Sequence, residues 1–402
     1  MPDLQAPRTE EELAEVVKGA VETRSPLSIE GGSTRPVGNA VSASKKITTR
    51  DVAGITLYEP GALTIITKAG TPLEEITEVL GAENQHLQFE PPDYRGILGS
   101  VGQSTIGGVA AAGVSGPRRI QAGAARDALI GVRFVNGEGD IIRNGGRVMK
   151  NVTGYDLVKL LAGSWGTLGI LTELSFKILP KPETIASIRV TGLEDEKAVE
   201  VLAAALTSPF DVSGAAHSPG NGKTEPLTFL RVEGFEKSVR YRVDQLKELV
   251  GKILPKGKSI EAVFDDVARD DWRAIRDVDV LAGKKGALWR ISVKPSDGPK
   301  AAAVLASGCE IETLYDWGGG LVWLRANSMT VDAGRHLRET VASLGGHATL
   351  LSAEREVLEA LGAFQPEPAA IARISADLRR QFDPYGILNP GRMVPEAETV
   401  TA

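Results

Sequence analysis

Residues 99–123 carry seven glycines, at 99, 102, 107, 108, 113, 116 and 123, and this density restricts what the chain can fold into. Their spacing is too irregular for a repeat. Inside a helix or strand each glycine costs up to about 1 kcal/mol relative to alanine. Such a run therefore belongs where the backbone turns through positive φ or where something approaches it closely. The residues between are small (Ser100, Ser104, Ala110, Ala111, Ala112, Ser115) and leave main-chain N–H groups uncovered. That is the composition of a concave anion site built without basic side chains. The stretch Thr105-Ile106-Gly107-Gly108-Val109-Ala110 is too apolar for a solvated linker. A pyrophosphate is the expected guest, with Thr105, Ile106, Gly107, Gly108, Gly113, Ser115 and Gly116 as candidate contacts.

A second glycine turn lies near the N-terminus. Thr9-Glu10-Glu11-Glu12 reads as a capping box opening a helix whose apolar face is Leu13, Val16, Val17, Ala20 and Val21. Ser25-Pro26 ends it, and a short strand at 27–29 delivers the chain to Glu30-Gly31-Gly32-Ser33-Thr34-Arg35. Helix, strand and adjacent glycines in that order suggest another phosphate-contacting loop through Gly31, Gly32, Ser33 and Thr34. A plain helix–strand connection is the alternative. Residues 47–68 alternate as strands around a turn at 59–62, and Thr71-Pro72 is expected to start a helix as N-cap and first residue. Pro91-Pro92 reads as a rigid turn.

Strand-like runs at 129–135 and 140–143 flank Asn136-Gly137-Glu138-Gly139, a strong hairpin signal. A helical patch at 156–161 follows, and then Gly166-Thr167-Leu168-Gly169 leads into a strand at 170–179. The ordered series GPRR (116–119), AGAARD (122–127), GVRFVNGEGD (131–140), KNVTGYDL (150–157) and AGSWGTLGI (162–170) resembles the FAD-binding domain of the PCMH-type, vanillyl-alcohol-oxidase family of flavoproteins. Within it, the chain is similar to the FAD-binding subunits of bacterial glycolate oxidase. The match runs over roughly 25–182 and resumes at 382–392, where Phe-Asp-Pro and Asn-Pro-Gly-Arg resemble the family's C-terminal signature.

The resemblance implies an α+β fold: a two-subdomain PCMH-type FAD-binding domain (1–182), an α+β cap domain with an antiparallel sheet (183–382), and a tail (383–402) returning to the first domain. It places Gly31–Thr34 over the FAD pyrophosphate, Pro91 and Pro92 by the flavin, and Gly169 and Ile170 at the adenine through main-chain groups. Glu30 stands where family members commonly have arginine, which weakens the electrostatics of that loop. Arg118 or Arg126 could balance the pyrophosphate charge, although Arg126-Asp127 also reads as a local pair or turn cap. Tyr155 reads equally as a pocket wall or a buried anchor. Neither histidine nor cysteine occurs at 30–38 or 96–180, so the FAD is expected to be non-covalent, with His86 as the reservation.

Oxidising a small 2-hydroxy acid such as glycolate needs a base for the hydroxyl and a cation for the carboxylate. Catalytic relatives carry a His-rich element in the second domain; here only Ala216-His217-Ser218-Pro219-Gly220-Asn221-Gly222 approaches it, and His347 stands alone. Both histidines read by default as core or edge residues, and no His–carboxylate set has metal spacing. The resemblance thus implies a subunit that handles electrons beside flavoprotein and iron–sulfur partner subunits. A self-sufficient 2-hydroxy-acid dehydrogenase and a structural subunit with a vestigial flavin site are the rivals. Trp317 and Trp323, around Gly318-Gly319-Gly320, are candidates for an apolar docking surface, with core packing the alternative for at least one.

At 402 residues the chain exceeds one ordinary core. Its net charge of −6, with no basic block, argues against nucleic acid. One cysteine, Cys309, cannot hold a disulfide framework or an iron–sulfur cluster by itself. The acidic N-terminus lacks an apolar signal core, and no run approaches the roughly 18–20 apolar residues of a membrane span. A cytoplasmic protein is expected, peripheral at the inner membrane at most through partner subunits, with no direct membrane insertion.

Overall fold

A computed structural model describes residues 3–146, 154–220 and 224–395. Thr9 caps the first helix, Glu10–Thr23, by accepting the Glu12 N–H at 3.1 Å. The helix buries Leu13, Ala14, Val17 and Ala20 against Leu27, Ile47, Val135 and Ile170. Leu27–Glu30 and Asp3–Gln5 flank Lys45–Thr48 in a small parallel sheet. The Thr71 side chain is tied elsewhere than expected. Its hydroxyl accepts the Gly54 N–H (2.9 Å) and donates to the Lys68 carbonyl (2.7 Å), so Pro72 becomes the N-cap and the helix runs Leu73–Ala82.

A second sheet is antiparallel throughout, in the order Ile55–Glu59, Thr64–Lys68, Ile170–Lys177, Leu129–Val135, Ile141–Gly145. Its last two strands are the expected hairpin. The Asn136 carboxamide oxygen accepts the N–H groups of Glu138 and Asp140 and so closes the turn. The KNVT part of the sequence motif, at 150–153, lies outside the described residues, as does Asn221-Gly222. Tyr155 is 88% exposed, which removes its reading as a buried anchor.

From Thr184 the chain builds an eight-stranded antiparallel sheet that contains a duplication. The run Thr184–Thr191, Asp195–Leu206, Gly214–Ser218, Leu227–Gly234, Glu236–Ile253, Ile260–Phe264 is a strand–helix–strand–strand–helix–strand unit. Ala287–Ser292, Gly298–Ala306, Ile311–Asp316, Leu321–Ala326, Val331–Ser343 and His347–Ser352 repeat it. Each unit has its fourth strand at the sheet edge beside its first, and the two second strands meet at the seam, His217 opposite Tyr315.

Strand alternation divides the sheet's faces. Ile188, Leu230, Trp289, Val322 and Leu324 lie under the helices. Ala216, Phe229, Leu314, Trp317, Trp323 and Leu351 join the core of the five-stranded sheet. Trp317 and Trp323 are therefore internal, 9% and 3% exposed, and do not form a docking surface. The Trp317 Nε1–H donates to the Gly116 carbonyl (3.1 Å), and Trp323 packs edge-on to Tyr94. The chain then returns: the Leu27 N–H donates to the Ile387 carbonyl (2.8 Å) and the Asn389 N–H to the Leu27 carbonyl (3.0 Å).

Candidate functional site

A cavity opens where strand Leu27–Glu30 gives way to the first glycine loop. Gly31, Gly32, Ser33 and Thr34 line it, together with Thr105, Gly107, Gly108, Gly169 and Ile170. The main-chain N–H groups of residues 31–34 donate to no protein acceptor among the described residues. Two loops meet here backbone to backbone: a Cβ on Gly32 would lie 1.5 Å from the Gln103 carbonyl oxygen, and one on Gly31 2.5 Å from Thr105 Oγ1. Free donors on a cradle that a methyl group would fill fit a phosphate-bearing guest.

The second glycine stretch differs from its sequence reading as a run of bare donors. Thr105 caps the helix Ile106–Ala112, accepting the Gly108 N–H at 3.3 Å. The Ile106 N–H goes to the Thr71 carbonyl (3.1 Å) and the Gly107 N–H to the Ala69 carbonyl (2.8 Å). Gly113, at φ +63°, is the helix C-cap, and its N–H reaches Ala110. Ser115 Oγ accepts the Ala125 N–H (2.9 Å), and the Gly116 N–H donates to Phe89. A Cβ on Gly107 would stand 2.7 Å from both the Ala69 side chain and its carbonyl oxygen. Most glycines here permit close packing, and the cavity receives Thr105, Gly107 and Gly108 while Ile106, Gly113, Ser115 and Gly116 lie outside its lining.

Pro91, Pro92 and Arg118 also lie outside it. The Pro92 carbonyl accepts Arg35 Nη2 (2.7 Å), and Arg35 Nη1 reaches Ser104 Oγ (2.8 Å), leaving the buried Nε without a partner. Arg118 sits instead in a buried ionic junction between the first module and the eight-stranded sheet. Its Nη2 donates to Glu233 (2.6 Å), and its main-chain N–H donates to Glu90 (2.9 Å). Glu90 takes both ends of the Arg231 guanidinium, at 2.8 and 2.9 Å. Burial opposes ionisation of Glu90, but Arg231 and Arg118 outweigh it and hold the carboxyl at about 2. Burial dominates at neighbouring Asp316, which accepts only the Trp317 N–H and is pushed up to about 7.

His217 is fully buried on the helix-covered face. Its Nδ1 meets Thr228 Oγ1 (2.9 Å) and its Nε2 meets Asp195 (3.3 Å), whose other oxygen accepts the Tyr315 hydroxyl (2.6 Å). His86, neutral because burial and then Arg118 lower it to about 3, does not line the cavity. Arg126 pairs loosely with Asp127 at the surface, 3.8 Å apart. Sequence reasoning missed Arg35, Glu90, Asn389 and Arg392. The first two carry no local signal beyond flanking a glycine or proline turn, and the last two lie some 360 residues from the loop they meet.

Residues 4–145 match the model of an FAD binding domain. Over nearly its whole length the fold matches 4-ethylphenol oxidase from Gulosibacter chungangensis (TM-score 0.70, 14% identity, 98% of this chain and 90% of that one). It likewise matches alkyldihydroxyacetonephosphate synthase (TM-score 0.69, 16% identity, 97% and 76%). The chain is thus an FAD-dependent oxidoreductase with the two-subdomain PCMH-type fold and an antiparallel cap, and FAD is its cofactor. It is 34% identical over 385 residues to the glycolate oxidase subunit GlcE of Escherichia coli K12, covering 96% of this chain and 97% of that one. It belongs to the GlcE family. Glycolate oxidase subunit GlcD of Bacillus subtilis is 34% identical over 196 residues, 46% of this chain and 38% of GlcD.

Proposed function

We propose that this chain is the FAD-carrying subunit of a glycolate-oxidising complex and that it handles electrons rather than carrying the substrate base. The observation that carries the reading is the end-to-end relation to GlcE, which covers the cap as well as the FAD module. FAD supplies a two-electron acceptor that can release electrons singly. Gly31–Thr34 would hold its phosphates through main-chain N–H groups, and Gly169 and Ile170 share the lining with them. Around them the chain's residues orient and exclude water: Glu90, Arg118, Arg231 and Glu233 fix the cap against the FAD module. His217 is turned away under the helices, hydrogen-bonded on both ring nitrogens.

On this reading a related flavoprotein subunit removes the elements of hydrogen from glycolate, giving glyoxylate, and an iron–sulfur subunit takes the electrons onward. No helix among the described residues is long and apolar enough to cross a membrane. A cytoplasmic site, peripheral at the membrane through partners, suits that arrangement. A second reading, a self-sufficient 2-hydroxy-acid dehydrogenase, draws on Asp316, a buried carboxyl beside Arg231 and Glu90 that burial pushes up to about 7. Glycolate-dependent dye reduction separates the two. The isolated chain should be nearly inactive per flavin and the reconstituted complex active. Equal rates per flavin would reject the subunit role and favour the second reading.

A further inference from the structure

The cavity's charges do not balance. Glu30, at its rim, is neutralised by Lys46 at 2.8 Å. Two guanidiniums remain in the lining, Arg35 and Arg392, and neither has a carboxylate within ion-pair distance among the described residues. Arg35 is engaged by Pro92 and Ser104. The Arg392 side chain makes a single hydrogen bond among the described residues, a 3.3 Å contact from Nη1 to the Val37 carbonyl. Burial lowers its pKa, partly countered by the charge of Glu30. A half-buried cation with one long hydrogen bond is a poor arrangement unless an anion completes it.

Its position is fixed with care. Asn389, at φ +45°, accepts the Ile29 N–H on Oδ1 (2.8 Å) and donates through Nδ2 to the Trp165 carbonyl (2.9 Å), joining the tail to both walls of the cavity. The Arg392 carbonyl accepts the Asn39 N–H (2.9 Å), and the Arg392 side chain lies against Gly38, where a Cβ would come within 2.4 Å of its Cδ. The tail is therefore seated directly on the end of the first glycine loop.

We infer that Arg392, delivered by the C-terminal tail, is the counter-ion for the diphosphate of FAD, replacing the cation that the loop itself lacks at Glu30. Diphosphate is the one strongly anionic part of the cofactor, and a guanidinium can donate two parallel hydrogen bonds to it. The inference rests on FAD binding and not on the glycolate reading, so the test needs no substrate.

FAD, ADP and adenosine are titrated into the apoprotein of the native chain, R392Q and R392K, with thermal midpoints of the apo and FAD-loaded forms. R392Q should weaken FAD and ADP by about 10- to 100-fold, the loss of a charge-assisted hydrogen bond, and leave adenosine unchanged. R392K should recover most of the affinity. The apo midpoint should hold or rise, because an uncompensated charge is removed, while the loaded midpoint falls. Unchanged FAD affinity in R392Q would overturn the inference. So would equal losses for ADP and adenosine, which would put Arg392 on the nucleoside, or an equal fall of both midpoints, which would make it a tail anchor only.

Discussion

Two glycine-rich segments meet at the cavity, and they differ in what their main-chain N–H groups meet. In residues 31–34, which line the cavity, the N–H groups have no protein acceptor among the described residues. In residues 105–116 nearly every N–H is taken by the protein, and the missing side chains let a helix press onto the 69–71 turn. The difference teaches that glycine density signals close backbone approach, but not what approaches. Both segments pack backbone on backbone, Gly32 against Gln103 and Gly107 against Ala69, and only the first leaves its donors free.

The largest effect should come from breaking the packed segment. Gly107→Val forces a branched side chain into a space already closed at 2.7 Å by Ala69. Overpacking and the lost contacts should cost upwards of about 3 kcal/mol, seen as a fall in the urea midpoint of the apoprotein, with FAD retention lost as a consequence. An apoprotein of native stability would erase the distinction between the segments.

Next comes the ionic anchor behind the packed segment. Removing Glu90's charge in Glu90→Gln leaves Arg231 half-paired and should cost about 3 kcal/mol or more at pH 7. The folded pKa of Glu90, about 2, lies below its unfolded value of about 4.3. Its contribution is therefore present above the unfolded value and lost as pH falls from there toward 2. Acid unfolding curves of the native chain should show this limb, and the Gln variant should lack it. An identical acid limb in both would place the coupling elsewhere.

The free-donor loop answers differently. Gly32→Ala should weaken FAD by about two orders of magnitude, as the loop shifts to clear Gln103 and its donors lose their common aim, and it should lower the apo urea midpoint as well, since the new Cβ would start 1.5 Å from the Gln103 carbonyl oxygen. Native FAD affinity in the folded variant would remove the loop from the cofactor site. The smallest effect sharpens the contrast: Ser115→Ala removes the acceptor for the Ala125 N–H. It should cost about 1 kcal/mol of stability with the FAD dissociation constant unchanged. A weakened cofactor would return Ser115 to the binding site.

Local signals carried far in this chain. The Asn136–Gly139 hairpin, the Thr9 cap and the strand after Gly169 each follow from side-chain chemistry within a few residues, and each stands where the sequence placed it. Thr71 shows how such a signal fails: a hydroxyl able to cap a helix was captured by Gly54, a partner on another turn. The duplicated unit of the cap went unread because alternation reports that a strand exists and not which strand it pairs with. Trp317 and Trp323 look alike beside three glycines whether they meet a partner protein or Gly116 and Tyr94.

By itself the sequence determined the family, the cofactor and the two glycine turns, because motifs in fixed order, with the turn chemistry of single residues, are properties of the chain. The tertiary structure decided which glycines and which arginines line the cavity, and which arginine is locked into the Glu90–Arg231 junction. Arg118 and Arg392 differ little in local sequence setting, each following a glycine within two residues. Their roles diverge because charge pairing acts through space, and only the folded chain brings Glu233 to one and the open cavity to the other.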